Sequence, residues 1–213
     1  MELDIWSDIA CPWCYVGKRR LEAALEAFED ADNVRIRWRS FELDPNAPVE
    51  GYDDGPQRLA TKYGISRDEA VSRMTQLTDM AAGDGLDLDL IGARGGNTFD
   101  GHRLVHLAAH HGLENEMKER LLRAFHAERE PIGDHATLKR LAADVDLPAD
   151  EVDDLLAGDQ FAADVREDEQ LAAQLGIQGV PCFVVDRKYG VTGAQPAEQL
   201  LAMLDRAAAG DAS

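Results

Sequence analysis

An α/β fold interrupted by a large all-helical insertion is predicted for this 213-residue chain by three observations. The chain opens strand, helix, strand. It then keeps a helical period for roughly a hundred residues with no alternating run, and it closes helix, strand, strand, helix. The expected division follows: residues 1–50 and 160–213 form one discontinuous α/β domain, and 51–159 form the inserted helical domain.

Residues 2–7, Glu-Leu-Asp-Ile-Trp-Ser, alternate polar and apolar with the period of a strand. Cys11-Pro12-Trp13-Cys14 follows, and Pro12 suits a first helical position, where a missing N–H costs nothing. Gly17, Leu21, Ala24, Leu25 and Phe28 then fall on one face of a helix of about five turns. After a turn at Asp32-Asn33, Val34 to Phe41 alternates as a second strand. Strand, helix and strand in this order imply two parallel strands in one βαβ unit, with the cysteine pair at the carboxyl end of the first.

Asp44 to Gly55 is rich in Pro, Gly and Asp and reads as a connector. Helical patterns cover Gln57–Tyr63, Arg67–Ala82, Thr98–His111, Glu114–Glu128, Ala136–Val145 and Asp150–Ala157. A further helix runs from Gln160 to Leu175 and stops at Gly176. Ile177-Gln178-Gly179-Val180-Pro181 leads into a short apolar strand, Cys182–Asp186, with Tyr189–Thr192 as its hairpin partner. Ala197–Ala208 closes the fold, and the terminal Gly-Asp-Ala-Ser is expected to fray.

Composition narrows the function. With 41 acidic against 22 basic side chains, the net charge of −19 repels phosphate backbones and anionic lipid, which argues against nucleic acid and membrane partners. No apolar run is long enough to span a bilayer. Only Lys18, Lys62, Lys118, Lys139 and Lys188 are lysines, and this acidic, arginine-biased profile resembles that of halophilic proteins. Met1 enters a strand with no secretory pattern, and the three cysteines are too few for a disulfide framework. These features place the chain in a reducing cytoplasm.

The CPWC stretch carries the chemistry. Two cysteines three positions apart at a helix start give a thiol a disulfide partner, a dipole end that favours its thiolate, and a backbone expected to keep it near the surface. Two other readings of the pair stay open: core cysteines, or a zinc site that would need further ligands from Cys182 or a histidine. No second ligand cluster accompanies it, and no metal is assigned.

Three segments in order resemble the DsbA family of thioredoxin-fold proteins, in its FrnE-like and 2-hydroxychromene-2-carboxylate isomerase-like branch. They are Ser7-Asp8-Ile9-Ala10-Cys11-Pro12-Trp13-Cys14, Asn97-Thr98-Phe99-Asp100-Gly101-His102-Arg103-Leu104, and Gly176-Ile177-Gln178-Gly179-Val180-Pro181. The resemblance covers nearly the whole chain and implies a thioredoxin fold carrying the helical insertion. It implies catalytic roles for Cys11 as nucleophile and Cys14 as resolving thiol; the charges of Lys18, Arg19 and Arg20, further along the same helix, are expected to add a weaker, screened contribution. It also implies a cis-proline at Pro181, with proline at an edge-strand start as the plainer alternative. Substrate contacts are implied for Pro12, Trp13, Val180, Pro181, Asn97 and His102, the last lining a cleft over the dithiol.

The implied function is thiol-disulfide oxidoreduction on thiol or disulfide substrates, protein or small molecule, with no cofactor beyond a redox-active Cys11–Cys14 disulfide. The alternative is a thiol-dependent, glutathione-type isomerase or transferase; such relatives carry serine at the position of Cys11 and need no resolving thiol. A binding or chaperone module ranks third, since it gives no reason for a dithiol. Cys182 reads as a buried core thiol, with a regulatory role as the alternative. His102, His106 and His110 stand at i, i+4, i+8, a spacing that serves helix packing as readily as a metal stripe. Asp8 is either a proton relay to Cys14 or a hydrogen-bonded turn residue. An apolar patch on the insertion would permit a homodimer.

Overall fold

The computed structural model describes residues 1–51 and 54–210. Residues 52 and 53 of the expected connector, and 211–213 of the tail expected to fray, lie outside the described residues. The chain divides into two compact units, Met1–Leu43 with Ala163–Ser213, and Asp44–Ala162.

The first unit holds the sheet. Strand β1 (Glu2–Ser7) leads into helix α1 (Pro12–Ala27), and a single 3-10 turn (Ala31–Asn33) precedes β2 (Arg35–Ser40). The expected strand Val34–Phe41 is thus shortened by one residue at each end; Val34 is spent closing the 3-10 turn, its N–H donating to Ala31 O. Helix α8 (Ala162–Gln174), strands β3 (Cys182–Val185) and β4 (Tyr189–Thr192), and helix α9 (Ala197–Gly210) complete the α/β fold. Among the described residues the sheet has the order β2-β1-β3-β4. β1 runs parallel to β2, with Ile5 opposite Trp38, and antiparallel to β3, with Trp6 opposite Cys182. β3 and β4 form the hairpin. This is the mixed sheet of a thioredoxin fold, and α9 packs on α1.

β1 is buried from Leu3 through Ser7, so it reads as a central strand covered on both faces. The alternation in its sequence nevertheless includes a buried charge, Asp4. Arg39 answers it: its Nε donates to Asp4 Oδ1 at 2.6 Å and its Nη1 to Asp168 Oδ1 at 2.8 Å. Asp168 Oδ2 accepts the Ser40 N–H at 2.9 Å, and Asp168 O accepts Trp6 Nε1–H at 2.9 Å. Burial works against the Arg39 charge, but Asp168 and Asp4 outweigh it and raise the guanidinium pKa above its ordinary value. Three elements, β1, β2 and α8, are locked by this one group.

α8 starts two residues later than the sequence period suggests, because Phe161 takes a left-handed φ of 61° and ends the preceding turn. It stops at Gln174, and Gly176 supplies the φ of 71° that turns the chain.

The second unit is all helical among its described residues: α2 (Gly55–Tyr63), α3 (Arg67–Gly83), α4 (Phe99–His110), α5 (Glu114–His126), α6 (His135–Ala143) and α7 (Ala149–Ala157). Asp54, Ser66 and Asp134 cap α2, α3 and α6 by accepting first-turn N–H groups. Arg103 in α4 is 4% exposed and donates to the carbonyls of Leu155, Gly158 and Gln160 and to Asp100. It fastens the end of α7 to α4 by donating to carbonyls at and just beyond the helix C-terminus.

Candidate active site

The turn from β1 into α1 carries the dithiol. Cys11 is the N-cap of α1, with extended backbone (φ −94°, ψ 110°), and Pro12 occupies the first turn as the sequence predicts. Cys14 N–H donates to Cys11 O at 3.0 Å, which sets the second cysteine one turn along the same helix. No disulfide joins Cys11 to Cys14.

Cys11 is 4% exposed and Cys14 1%, so the expectation of a nucleophile near the surface is corrected. The carbonyl oxygen of Val180 lies 3.6 Å from Cys11 Sγ and accepts from it. The exposed member of the motif is Trp13, at 43%. Pro12 is half-buried.

The Val180–Pro181 peptide is cis. Pro181 is buried against α1 at Gly17, where an added Cβ would stand 2.9 Å from Pro181 Cγ and 3.2 Å from Phe183 Cζ. Only a residue without a side chain lets the helix and the proline approach this closely. The structure therefore brings Cys11, Pro12, Trp13, Cys14, Val180 and Pro181 together in one unit.

Asp8 sits under the same turn and is 1% exposed. Its Oδ1 accepts Ala10 N–H at 3.2 Å, its Oδ2 accepts Leu43 N–H at 2.8 Å, and its carbonyl accepts Cys11 N–H at 3.2 Å. Glu42, beside Leu43, is wholly buried at its side chain and pairs with Arg166 of α8. Glu42 N–H donates to Glu169 Oε1 at 3.2 Å. Burial pushes the Glu42 carboxyl above its ordinary value; Arg166 pulls the other way, and Glu169 and Asp8 add to the rise.

Lys18 and Arg19 both pair with Glu22, and Arg20 donates to Ala194 O at 2.7 Å. These engagements compete with the screened contribution to the thiolate that the sequence suggests for them.

Cys182 is 5% exposed and packs with Trp6 and Ala172. Burial raises its thiol pKa, a Thr192 hydroxyl donating at 3.7 Å offsetting part of this. It is a core thiol.

Asn97 and His102 belong to the helical unit. Asn97 Nδ2 donates to the carbonyls of Pro45 and Ala47, both at 3.3 Å, and its Oδ1 accepts Phe99 N–H at 2.9 Å. The amide thus clamps the connector and caps α4. His102 is 1% exposed within α4. His106 stacks on Phe161 at 6.4 Å between ring centroids, and His110 meets the same ring edge-on at 5.0 Å. Among the described residues, no group of three or more His, Cys, Asp or Glu is arranged to hold a metal ion.

Sequence reasoning did not single out Glu42 and Arg166, which meet across 124 positions. Gly17 falls on the buried helical face that the sequence predicts, and a glycine inside a helix, where it costs about 1 kcal/mol relative to alanine, is itself the signal of a close approach.

A thioredoxin-fold unit presenting two cysteines at a helix start opposite a cis-proline defines the class of thiol-disulfide enzymes. The chain belongs to the family of the DSBA-like thioredoxin domain, whose model matches residues 2–205. It is similar to the probable DsbA oxidoreductase of Streptomyces coelicolor, with 44% identity and a TM-score of 0.93 over 97% of this chain and 89% of the other. The cytosolic disulfide reductase DsbM of Pseudomonas aeruginosa, solved with GSH, shares the fold at 20% identity and a TM-score of 0.65 (97% and 98% covered). 2-Hydroxychromene-2-carboxylate isomerase does so at 14% identity and 0.73 (100% and 98%). The protein is an enzyme of the DsbA-like oxidoreductase family.

Proposed function

We propose that the protein exchanges thiols and disulfides through Cys11 and Cys14, with Cys11 as nucleophile and Cys14 as resolving thiol. The observation that carries this reading is the placement of Cys11 Sγ at the start of α1 and 3.6 Å from the carbonyl of Val180, next to the cis Val180–Pro181 bond.

The Cys11 thiolate attacks one sulfur of a substrate disulfide, forming a mixed disulfide and releasing the other sulfur as a thiolate. Cys14, deprotonated, then attacks Cys11 Sγ. The second substrate thiol leaves, the substrate has gained two electrons, and the enzyme holds a Cys11–Cys14 disulfide. In reverse, the same steps oxidise a dithiol. Trp13, exposed beside the nucleophile, and the Val180 backbone form the contact surface for thiol or disulfide substrates, protein or small molecule. Cys14 stands one turn along the same helix, with its N–H on the Cys11 carbonyl, which supports the resolving role by placing it within the reach of Cys11. The chemistry suits a cytoplasmic setting, in which reduced thiols regenerate the dithiol.

Reduction of insulin by dithiothreitol is the direct assay. Cys11→Ser abolishes catalysis; wild-type turnover in that variant would overturn the assignment. A thiol-dependent isomerase would not need Cys14, so full activity of Cys14→Ser on every substrate would favour that alternative.

A further inference from the structure

Asp8 is held by more of the site than its place as a turn residue requires. A carboxylate 1% exposed costs much to bury unless its charge is met, and both of its oxygens are met by backbone N–H groups from different segments. One is Ala10, beside the nucleophile; the other is Leu43, just beyond the end of β2. Its own carbonyl takes the Cys11 N–H. The adjoining Glu42 is in turn fixed to α8 by Arg166 at its side chain and by Glu169 at its N–H.

We propose that Asp8 is a positioning residue for the dithiol: it fastens the turn that presents Cys11 to the segment Glu42–Leu43, so that the nucleophile's place before Val180 is set from the ends of both parallel strands. The carboxylate acts through Cys11 and takes no proton in the reaction. Its two oxygens accept amides from two separate segments, which is the geometry of an anchor. The carboxyl groups of Glu42 and Glu169 and the Arg166 guanidinium stand along the same link, and Glu42 feels the Asp8 charge.

The inference rests on the oxidoreductase reading and is tested with the full chain and insulin. Asp8→Asn has the same shape but turns one acceptor into a donor facing an N–H; Asp8→Ala removes both acceptors. Misplacement of a reacting atom by about 1 Å can cost about a hundredfold in rate, so kcat is expected to fall about tenfold in the Asn variant and about a hundredfold in the Ala variant. KM stays within about twofold, because substrate contacts are untouched. In a pH–rate profile the plateau falls, and the rising limb moves only to lower pH, since a negative charge near the thiolate has been removed.

Three results overturn the inference alone: active wild type with unchanged kcat in both variants, a lost rate that returns in full well below each variant's unfolding midpoint, or a shifted limb with an undiminished plateau. An inactive wild type would instead overturn the oxidoreductase reading, and the inference with it.

Discussion

Pro181 lies so close to Gly17 that a single methyl group on the helix would stand 2.9 Å from the proline Cγ. The cis-proline loop and the dithiol helix are in contact through the one position that has no side chain. Alanine at Gly17 gains about 1 kcal/mol of helix propensity, while overpacking a rigid proline and Phe183 costs about 1–3 kcal/mol. Packing is expected to win. Gly17→Ala should lower the midpoint of urea unfolding and slow insulin reduction; a raised midpoint would show that the loop yields freely.

Arg39 is expected to be the most sensitive charge in the sheet. Removing it leaves Asp4 and Asp168, 1% and 2% exposed, without their cation. Breaking a buried pair in this way costs about 3–5 kcal/mol, so Arg39→Ala should lose that much stability in urea. Arg39→Lys should recover only part of it, because one ammonium cannot reproduce two divergent guanidinium bonds. Equal stability of Lys and Arg variants would contradict this geometry.

Much of this architecture is legible in the sequence. The alternation of residues 2–7, the helical face from Gly17 to Phe28 and the stop at Gly176 each have a local cause, and each element is found within a few residues of its expected place. The CPWC pair is legible for the same reason: its chemistry depends on spacing along a single helix. What escapes is long-range pairing. Nothing local tells that Arg39 serves Asp168 or that Glu42 meets Arg166, because these partners are set by strand order and by the packing of α8; the approach of Val180 and Pro181 to Cys11 is legible only through the family resemblance. The Asn97 amide shows the same limit: sequence places it in a motif, and only the fold reveals its bonds to Pro45 and Ala47.

Glu42 gives the protein a pH-dependent term of definite sign. Its carboxyl is raised by burial above its ordinary value of 4.5, so the folded chain holds this proton more tightly than the unfolded one. The stability it contributes is full below that value and is lost as pH rises through the folded pKa. Glu42→Gln keeps a neutral group in place, so it should raise the unfolding midpoint at pH 7 relative to wild type and change it little at pH 4. The same difference at both pH values would contradict a raised carboxyl.

The charge of −19 predicts a response to salt. Raising ionic strength from 0.1 M to 1 M shortens the Debye length from about 10 Å to about 3 Å, which screens self-repulsion among surface carboxylates. The thermal unfolding midpoint should rise across this range. A falling midpoint would mean that attractive pairs, such as Lys139 with Asp153, outweigh the repulsion.

The role of Cys11 is tested most directly by trapping its partner. When Cys14→Ser protein is mixed with oxidised insulin and its intact mass is measured, the nucleophile has no resolving thiol to release it. A stable adduct should form, with the summed mass of the protein and the insulin whose disulfide it has opened, and peptide mapping should place the new mixed disulfide on Cys11. An adduct on Cys182 instead, or no adduct while reduction proceeds, would contradict the assignment of Cys11 as the attacking thiol.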